Sequence, residues 1–215
     1  MSLARALCSA PSPFIAEPAA GMPRLCVCAE SDPGRAHVEQ FVARVFERRF
    51  GARVQRFAPI LVCLRDVESG DITAAAGYRF ANSGPLFLER YLDQPIEQHL
   101  LDAGHAPVDR AGIVEVGHLA AERPGDGRRL IVRMAQHLAE EKAQWVVSTL
   151  TEELRHLFVR MGITPLALGR ADASALGEQA REWGSYYEHH PVVLAGQVQP
   201  ALRWMQRRQM GGLDA

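Results

Sequence analysis

The sequence predicts a mixed α/β domain. Its first half contains two strand-like runs joined by a short Ser-Gly turn, which is the signature of an antiparallel hairpin. Its second half alternates strand, helix, strand, helix, strand, so at least part of the sheet is expected to be parallel and covered by helices. At 215 residues, with 47% hydrophobic and 23% charged side chains, the composition is that of a globular chain long enough for one substantial core.

Taken in order, residues 1–23 are rich in Ala, Pro and Ser and poor in acids, without the continuous apolar run of a secretory signal. They are expected to form a flexible arm. Residues 24–30 read as a short buried strand carrying Cys26 and Cys28. With Cys8 and Cys63 these are expected to be core thiols, since no second Cys pair or His follows at metal-ligand spacing. Ser31-Asp32-Pro33-Gly34 then opens a helix over 35–50, where Val38, Phe41, Val42, Val45, Phe46 and Phe50 recur at three- and four-residue spacing before Gly51 stops it.

Residues 52–65 and 72–82 read as the paired strands. Two short helices follow at 86–92 and 95–103, with Asp93 as a cap. Then come a strand at 112–121, a helix at 127–142, a strand at 145–149, a helix at 151–161 capped by Thr151, and a strand at 163–168. A helix at 173–183, an aromatic corner Trp183-Gly184-Ser185-Tyr186-Tyr187, a strand at 192–198 and a basic helix at 200–209 complete the chain. The domain is expected to span 24–198, with 199–215 as a C-terminal helix and tail.

A formal net charge of −1 provides no global field for nucleic acid or an anionic membrane. No run approaches the roughly 20 apolar residues that span a bilayer, so a cytoplasmic protein is expected. No His, Cys or carboxylate grouping at ligand spacing points to a metal; His189 and His190 read as a loop pair.

The turn Glu122-Arg123-Pro124-Gly125-Asp126-Gly127-Arg128-Arg129 joins a strand to a helix. Glycines before a helix N-terminus expose backbone N–H groups and the positive end of the dipole, a setting for phosphate. The turn has neither the Gly-Lys-Ser/Thr of a P-loop nor the three glycines of the dinucleotide fingerprint. Spacing alone leaves a phosphate cradle and a plain connection both open.

The run VGHLAAERPGDGRRLIVRMAQHLAEEKAQWVVSTLTEELRHLFVRMGITPLAL, residues 116–168, resembles the thioester-binding core of the GNAT acyltransferase superfamily. In that superfamily a strand leads through a Gln/Arg-x-x-Gly-x-Gly/Ala loop to a helix. The segments ARVFERRFGARV, AAAGYRFANSGPLFLERYLDQPIE, IVEVGHLA and WGSYYEHHPVVLAG are similar to the thermostable haemolysins, small bacterial proteins of GNAT-like fold. The first half is also similar in layout to the autoinducer synthases. The resemblance implies a largely antiparallel central sheet flanked by helices. It also implies an N-acyltransferase, with acyl-CoA or an acyl-carrier-protein thioester as co-substrate, no tightly bound cofactor, and a small amine as acceptor.

Carried over by position, Leu119, Ala120 and Ala121 would meet pantetheine through the strand backbone. Arg123, Gly125, Asp126, Gly127, Arg128 and Arg129 would hold the pyrophosphate. Three positions depart from the superfamily pattern: Glu122 begins the loop, Asp126 separates its glycines, and Phe158 replaces a Tyr that often protonates the leaving thiolate.

Transfer to an amine needs a base and a polarised carbonyl. Glu115, an acid inside Ile113-Val114-Glu115-Val116, is the first candidate, as base or as partner of Arg79 or Arg110 in an ion pair. His118 is the second; strand alternation puts it on the opposite face unless a bulge intervenes. Arg79 and Glu89 fall where the related synthases place acceptor-side residues. Trp183, Tyr186 and Tyr187 either wall a pocket or belong to the core. Two other readings stand beside the enzyme. One is a GNAT-like binding protein that has lost the thiolate acid. The other is the cytolytic factor of the family name, with Leu202, Arg203, Trp204, Met205, Arg207 and Arg208 as an interfacial helix.

Overall fold

The computed structural model describes residues 24–210, with side chains to 207. The expected N-terminal arm, Cys8 and the side chain of Arg208 lie outside the described residues. The described chain forms a seven-stranded sheet in the order β1-β2-β3-β4-β5-β7-β6. The strands are β1 (Arg24–Cys28), β2 (Ile60–Arg65), β3 (Ile72–Phe80), β4 (Ile113–Ala121), β5 (Trp145–Leu150), β6 (Leu166–Arg170) and β7 (Val192–Gln197). The helices are α1 (Arg35–Phe50), α2 (Ile96–Asp102), α3 (Asp126–Glu140), α4 (Glu152–Arg160) and α5 (Val198–Met210). β4 and β5 are parallel and every other described pair is antiparallel. The expected mixed, largely antiparallel sheet with flanking helices is what the chain builds.

Period-two alternation sorts the core into two layers. Leu61, Cys63 and Ala75 pack against Val38, Phe41, Val42, Val45 and Phe46 of α1, while Val62, Leu64, Ala74, Ala76 and Tyr78 pack against Leu130, Met134 and Leu138 of α3. Each fully buried Val or Leu contributes about 1.5–3 kcal/mol, so these stripes, rather than helix propensity, fix both helices on the sheet. A third cluster joins α2 and its neighbours to β5 and β7 through Leu88, Ile96, Leu100, Trp145 and Val193.

Several expected boundaries shift. Residues 52–59, expected as strand, run as an unpaired segment. Part of their backbone is bonded elsewhere: Arg35 donates to the carbonyls of Ala58 and Pro59, both at 2.8 Å, Arg53 N donates to Glu182 O, and Pro59 has no N–H for a ladder. The strand expected at 163–168 starts only at Leu166, because Ile163 N still caps α4 through Phe158 O and Pro165 lacks a donor. The helices expected at 86–92 and 173–183 are 3-10 turns, Phe87–Tyr91 and Ala173–Trp183, the latter kinked at Gly177. Asp93 does not cap α2, whose N-cap is Pro95; its carboxylate lies 3.1 Å from His99 Nε2. Thr151 holds the N-cap position of α4 without a side-chain capping bond.

The basic C-terminal helix is α5, and its apolar side is partly covered, with Trp204 left 46% exposed. Met205 is buried with Ile131 of α3 and Met161, with Ala201 and Leu202 beside them. A Cβ at Gly162, whose φ is +78°, would collide with the Trp204 indole. This left-handed turn both ends α4 and gives α5 room to dock.

Candidate functional site: the cleft where β4 leaves β5

β4 and β5 pair only at Ile113↔Trp145, Val114↔Val146 and Glu115↔Val147. Beyond Glu115 the strands diverge, and among the described residues the β4 edge that faces β5 has no strand partner. The cause lies in β4 itself. On its other side Gly77↔Gly117 is followed by Ala75↔Ala120, so His118 and Leu119 together oppose the single residue Ala76. This is a bulge, with His118 at φ +55°, and it bends the strand and increases its twist. Alternation switches across it. Val114 and Val116 face α3 before the bulge, Leu119 and Ala121 face α3 after it, and Ala120 packs under α1.

The bulge therefore places Glu115 and His118 on one face, where both line a cavity of about 500 Å³ on the α1 side of the sheet. Arg79, Glu89, Trp183 and Tyr186 line it too, whereas Tyr187 does not. On the α3 side a second, apolar cavity of about 90 Å³ is walled by Leu119 of β4, Ile131 and Met134 of α3, Phe158 of α4 and Met205 of α5. Val116 lines both, so the cleft is the place where the two faces communicate.

Glu115 accepts hydrogen bonds from the backbone N–H groups of Phe87 and Leu88, both at 2.9 Å, and fastens the 3-10 turn to β4. Arg79, its register partner on β3, places Nε 3.9 Å from the carboxylate. Burial dominates over these stabilising contacts and pushes the Glu115 carboxyl above its ordinary value. A carboxylate raised in this way is a better proton acceptor. His118 has its Nδ1 buried without a partner, and its ring lies between Phe46 and Phe57. Burial, with Arg79 nearby, lowers it to about 4, so the imidazole is neutral near pH 7.

Glu89 is a bracket. It accepts from Leu86 N, Ile96 N and Arg110, and although burial raises its carboxyl, Arg110 and the two backbone donors outweigh burial and hold it below its ordinary value. Arg110 is thus committed to Glu89 and Glu97, which leaves Arg79 as the cation beside Glu115. Trp183 packs against Phe87 and Tyr186, and Tyr186 against Phe46 and Phe50; they serve as core and cavity wall at once. Tyr187 pairs with Tyr91, hydroxyl to hydroxyl, at 2.6 Å.

At the turn, Gly125 takes φ +91° and N-caps α3. Asp126 is only 3% exposed; one oxygen accepts from Arg129 and the other has no partner. It supplies from within the chain the negative charge that a helix N-terminus favours. Glu122 is bracketed by Arg44 and Arg48 of α1 at 3.3 and 3.4 Å, and Arg123 lies 3.8 Å from Asp66. Arg128 is exposed. Among the described residues no three His, Cys, Asp or Glu side chains gather in a metal-binding group, and no helix is long and apolar enough to cross a membrane.

The cavity also includes residues that the sequence reading left out: Arg53, Arg56 and Phe57 on the unpaired segment, and Arg90, Gln179 and Glu182. Only the crowding of arginines in ARVQRF and LFLERY marked them.

The fold has solved counterparts. The acyl-homoserine lactone synthase LasI superposes with a TM-score of 0.58 at 14% identity, over 85% of this chain and 95% of that one. FeeM, an N-acyl amino acid synthase from uncultured soil microbes, gives 0.57 at 13% identity over 87% and 97%. BjaI, a CoA-dependent acyl-homoserine lactone synthase, gives 0.56 at 13% over 87% and 89%. At these identities the likeness is one of fold, and it is the GNAT-like fold that the strand-turn-helix core implied. No curated protein is significantly similar in sequence. The family model described as thermostable hemolysin matches residues 28–202, most of the chain, and the protein therefore belongs to the thermostable hemolysin family.

Proposed function

We propose that the protein is an N-acyltransferase, moving an acyl group from a coenzyme A or acyl-carrier-protein thioester to a small amine. The observation that supports this most is the unpartnered edge of β4 beyond Glu115, which opens to a cavity on each face of the sheet. A pantetheine arm needs backbone groups that no strand has claimed, and its acyl carbon must reach an acceptor on the far side.

In this reading the amine enters the α1-side cavity. Glu115, or a water held by it, takes the proton as nitrogen attacks the thioester carbon. A free N–H of the β4 edge near Leu119 polarises the carbonyl oxygen. The C–S bond then breaks, and the thiolate takes its proton from solvent or from Glu115, because Phe158 has no hydroxyl to give. Gly127, Arg128 and Arg129 hold the pyrophosphate, with Asp126 limiting the affinity. The decisive assay is thiol release from a series of acyl-CoA thioesters with a panel of amines, in wild type and in Glu115→Gln. Amine-dependent release that falls sharply in the variant supports the reading; no release with any pair overturns it.

Asp126 and Phe158 favour one second reading, a protein that binds the thioester and does not transfer from it. Calorimetric binding of decanoyl-CoA without amine-dependent release would select it.

A further inference from the structure

The α1-side cavity carries an excess of unpaired positive charge. Arg53, Arg56, Arg79 and Arg90 line it, against Glu89, Glu115 and Glu182. Glu89 is consumed by Arg110 and two backbone donors, and both oxygens of Glu115 already accept backbone N–H groups. Arg90 donates to Gln179 and lies over the Phe87 ring. Arg79 touches only Glu115, through Nε at 3.9 Å, and among the described residues its two Nη groups have no partner. A guanidinium in a half-buried wall with its planar fork open is matched to a carboxylate.

The position of that fork sets the geometry of the ligand. Arg79 and Glu115 face each other directly across β3 and β4. An amine held at Glu115 and a carboxylate held at Arg79 must therefore be close neighbours on one small molecule. In an α-amino acid, nitrogen and carboxylate sit on the same carbon. Around them Phe57, Phe87 and Trp183 offer an apolar wall for a side chain.

We propose that the acceptor is an α-amino acid with an apolar side chain, its carboxylate bound by Arg79 and its amine presented to Glu115. This rests on the acyl-transfer reading, which it narrows. The amine nitrogen would form the new amide bond as the thioester C–S bond breaks, with the amine proton passing to Glu115 and on to the thiolate.

The test has two arms on the full chain. In the first, thiol release from decanoyl-CoA is compared for L-phenylalanine, L-phenylalaninamide and phenethylamine. In the second, calorimetry compares N-decanoyl-L-phenylalanine with N-decanoyl-L-phenylalaninamide, which needs no catalysis. A hydrogen-bonded charge pair of this kind predicts that the acid is preferred about ten- to a hundredfold in each arm. Arg79→Met should erase the preference, read as the ratio of the acid's KM to the amide's within the same variant, while Arg79→Lys restores part of it. If Arg79→Met does not fold, the wild-type ratios decide alone. Equal handling of acid and amide, with release intact, overturns the amino-acid proposal and leaves acyl transfer standing. Acid-selective binding without release from any pair supports the carboxylate site and overturns acyl transfer. No binding and no release overturns both.

Discussion

Replacing Glu115 with Gln should separate stability from activity, and the structure sets both magnitudes. In the folded protein the carboxyl is pushed above its ordinary value, chiefly by burial, against two N–H donors at 2.9 Å and the more distant Arg79. A carboxyl raised by folding binds its proton more tightly in the native than in the unfolded state. Native stability therefore falls as pH rises from about 4.3, the unfolded value, through the higher folded one. At pH 7 the buried charge is less well tolerated than the neutral acid, so the neutral isostere removes an unfavourable burial. Its amide still turns one donor toward a backbone N–H, at a cost of about 1 kcal/mol. The two effects oppose, and Glu115→Gln should change the urea-unfolding free energy by no more than about 1 kcal/mol. Glu115→Ala, which strands both N–H groups, should lose about 2–5 kcal/mol. Loss of a positioned base lowers turnover by about 10²–10⁴-fold. Turnover in Glu115→Gln within threefold of wild type, or a loss of turnover that merely tracks loss of fold, would refute the assignment.

His118 gives a pH dependence of opposite sign. Its value is lowered to about 4 in the fold, so as pH falls below about 6.5 the unfolded chain takes up the proton first and stability is lost towards pH 4. Allowing for the ring's partial exposure, about 2 kcal/mol should disappear between pH 7 and pH 4. His118→Asn, which tolerates φ +55°, should lack that component in urea titrations at the two pH values. At Gly162, alanine meets both a φ of +78° and the Trp204 indole. Gly162→Ala should cost about 1–2 kcal/mol, read as a lower urea midpoint; an unchanged midpoint would mean that α5 does not dock against this turn as described. Because Met205 and Leu202 are packed against α3 and α4 rather than presented to a membrane, dye-loaded vesicles should stay intact when the protein is added. Leakage at micromolar protein would support the cytolytic reading instead.

Much of this arrangement was legible in the sequence because it rests on strong periodicity. The stripe from Val38 to Phe50 can bury only as a helix, and α1 has the expected bounds. The second-half alternation carried the parallel pair β4 and β5. The bulge was not legible, since it depends on pairing with β3: alternation alone sends His118 away from Glu115, and only the two-against-one register returns it to the same cavity. Residues 52–59 were misread for a related reason. Their apolar and polar residues alternate like a strand, but Arg35 supplies the hydrogen bonds that a neighbouring strand would have provided. That unpaired segment is what brings Arg53, Arg56 and Phe57 to the cavity. Nor does the loop pattern, from which Glu122 departs, show that Arg44 and Arg48, more than seventy positions away in sequence, bracket its carboxylate.

Thioester binding in the cleft beyond Glu115 is tested most directly by a crystal structure with a non-hydrolysable thioether analogue of decanoyl-CoA. The arm should run along the free edge of β4 near Leu119, with the pyrophosphate at Gly127 and Arg128 and the carbonyl within reach of Glu115. Density for the analogue elsewhere, or an empty cleft at saturating concentration, would contradict it.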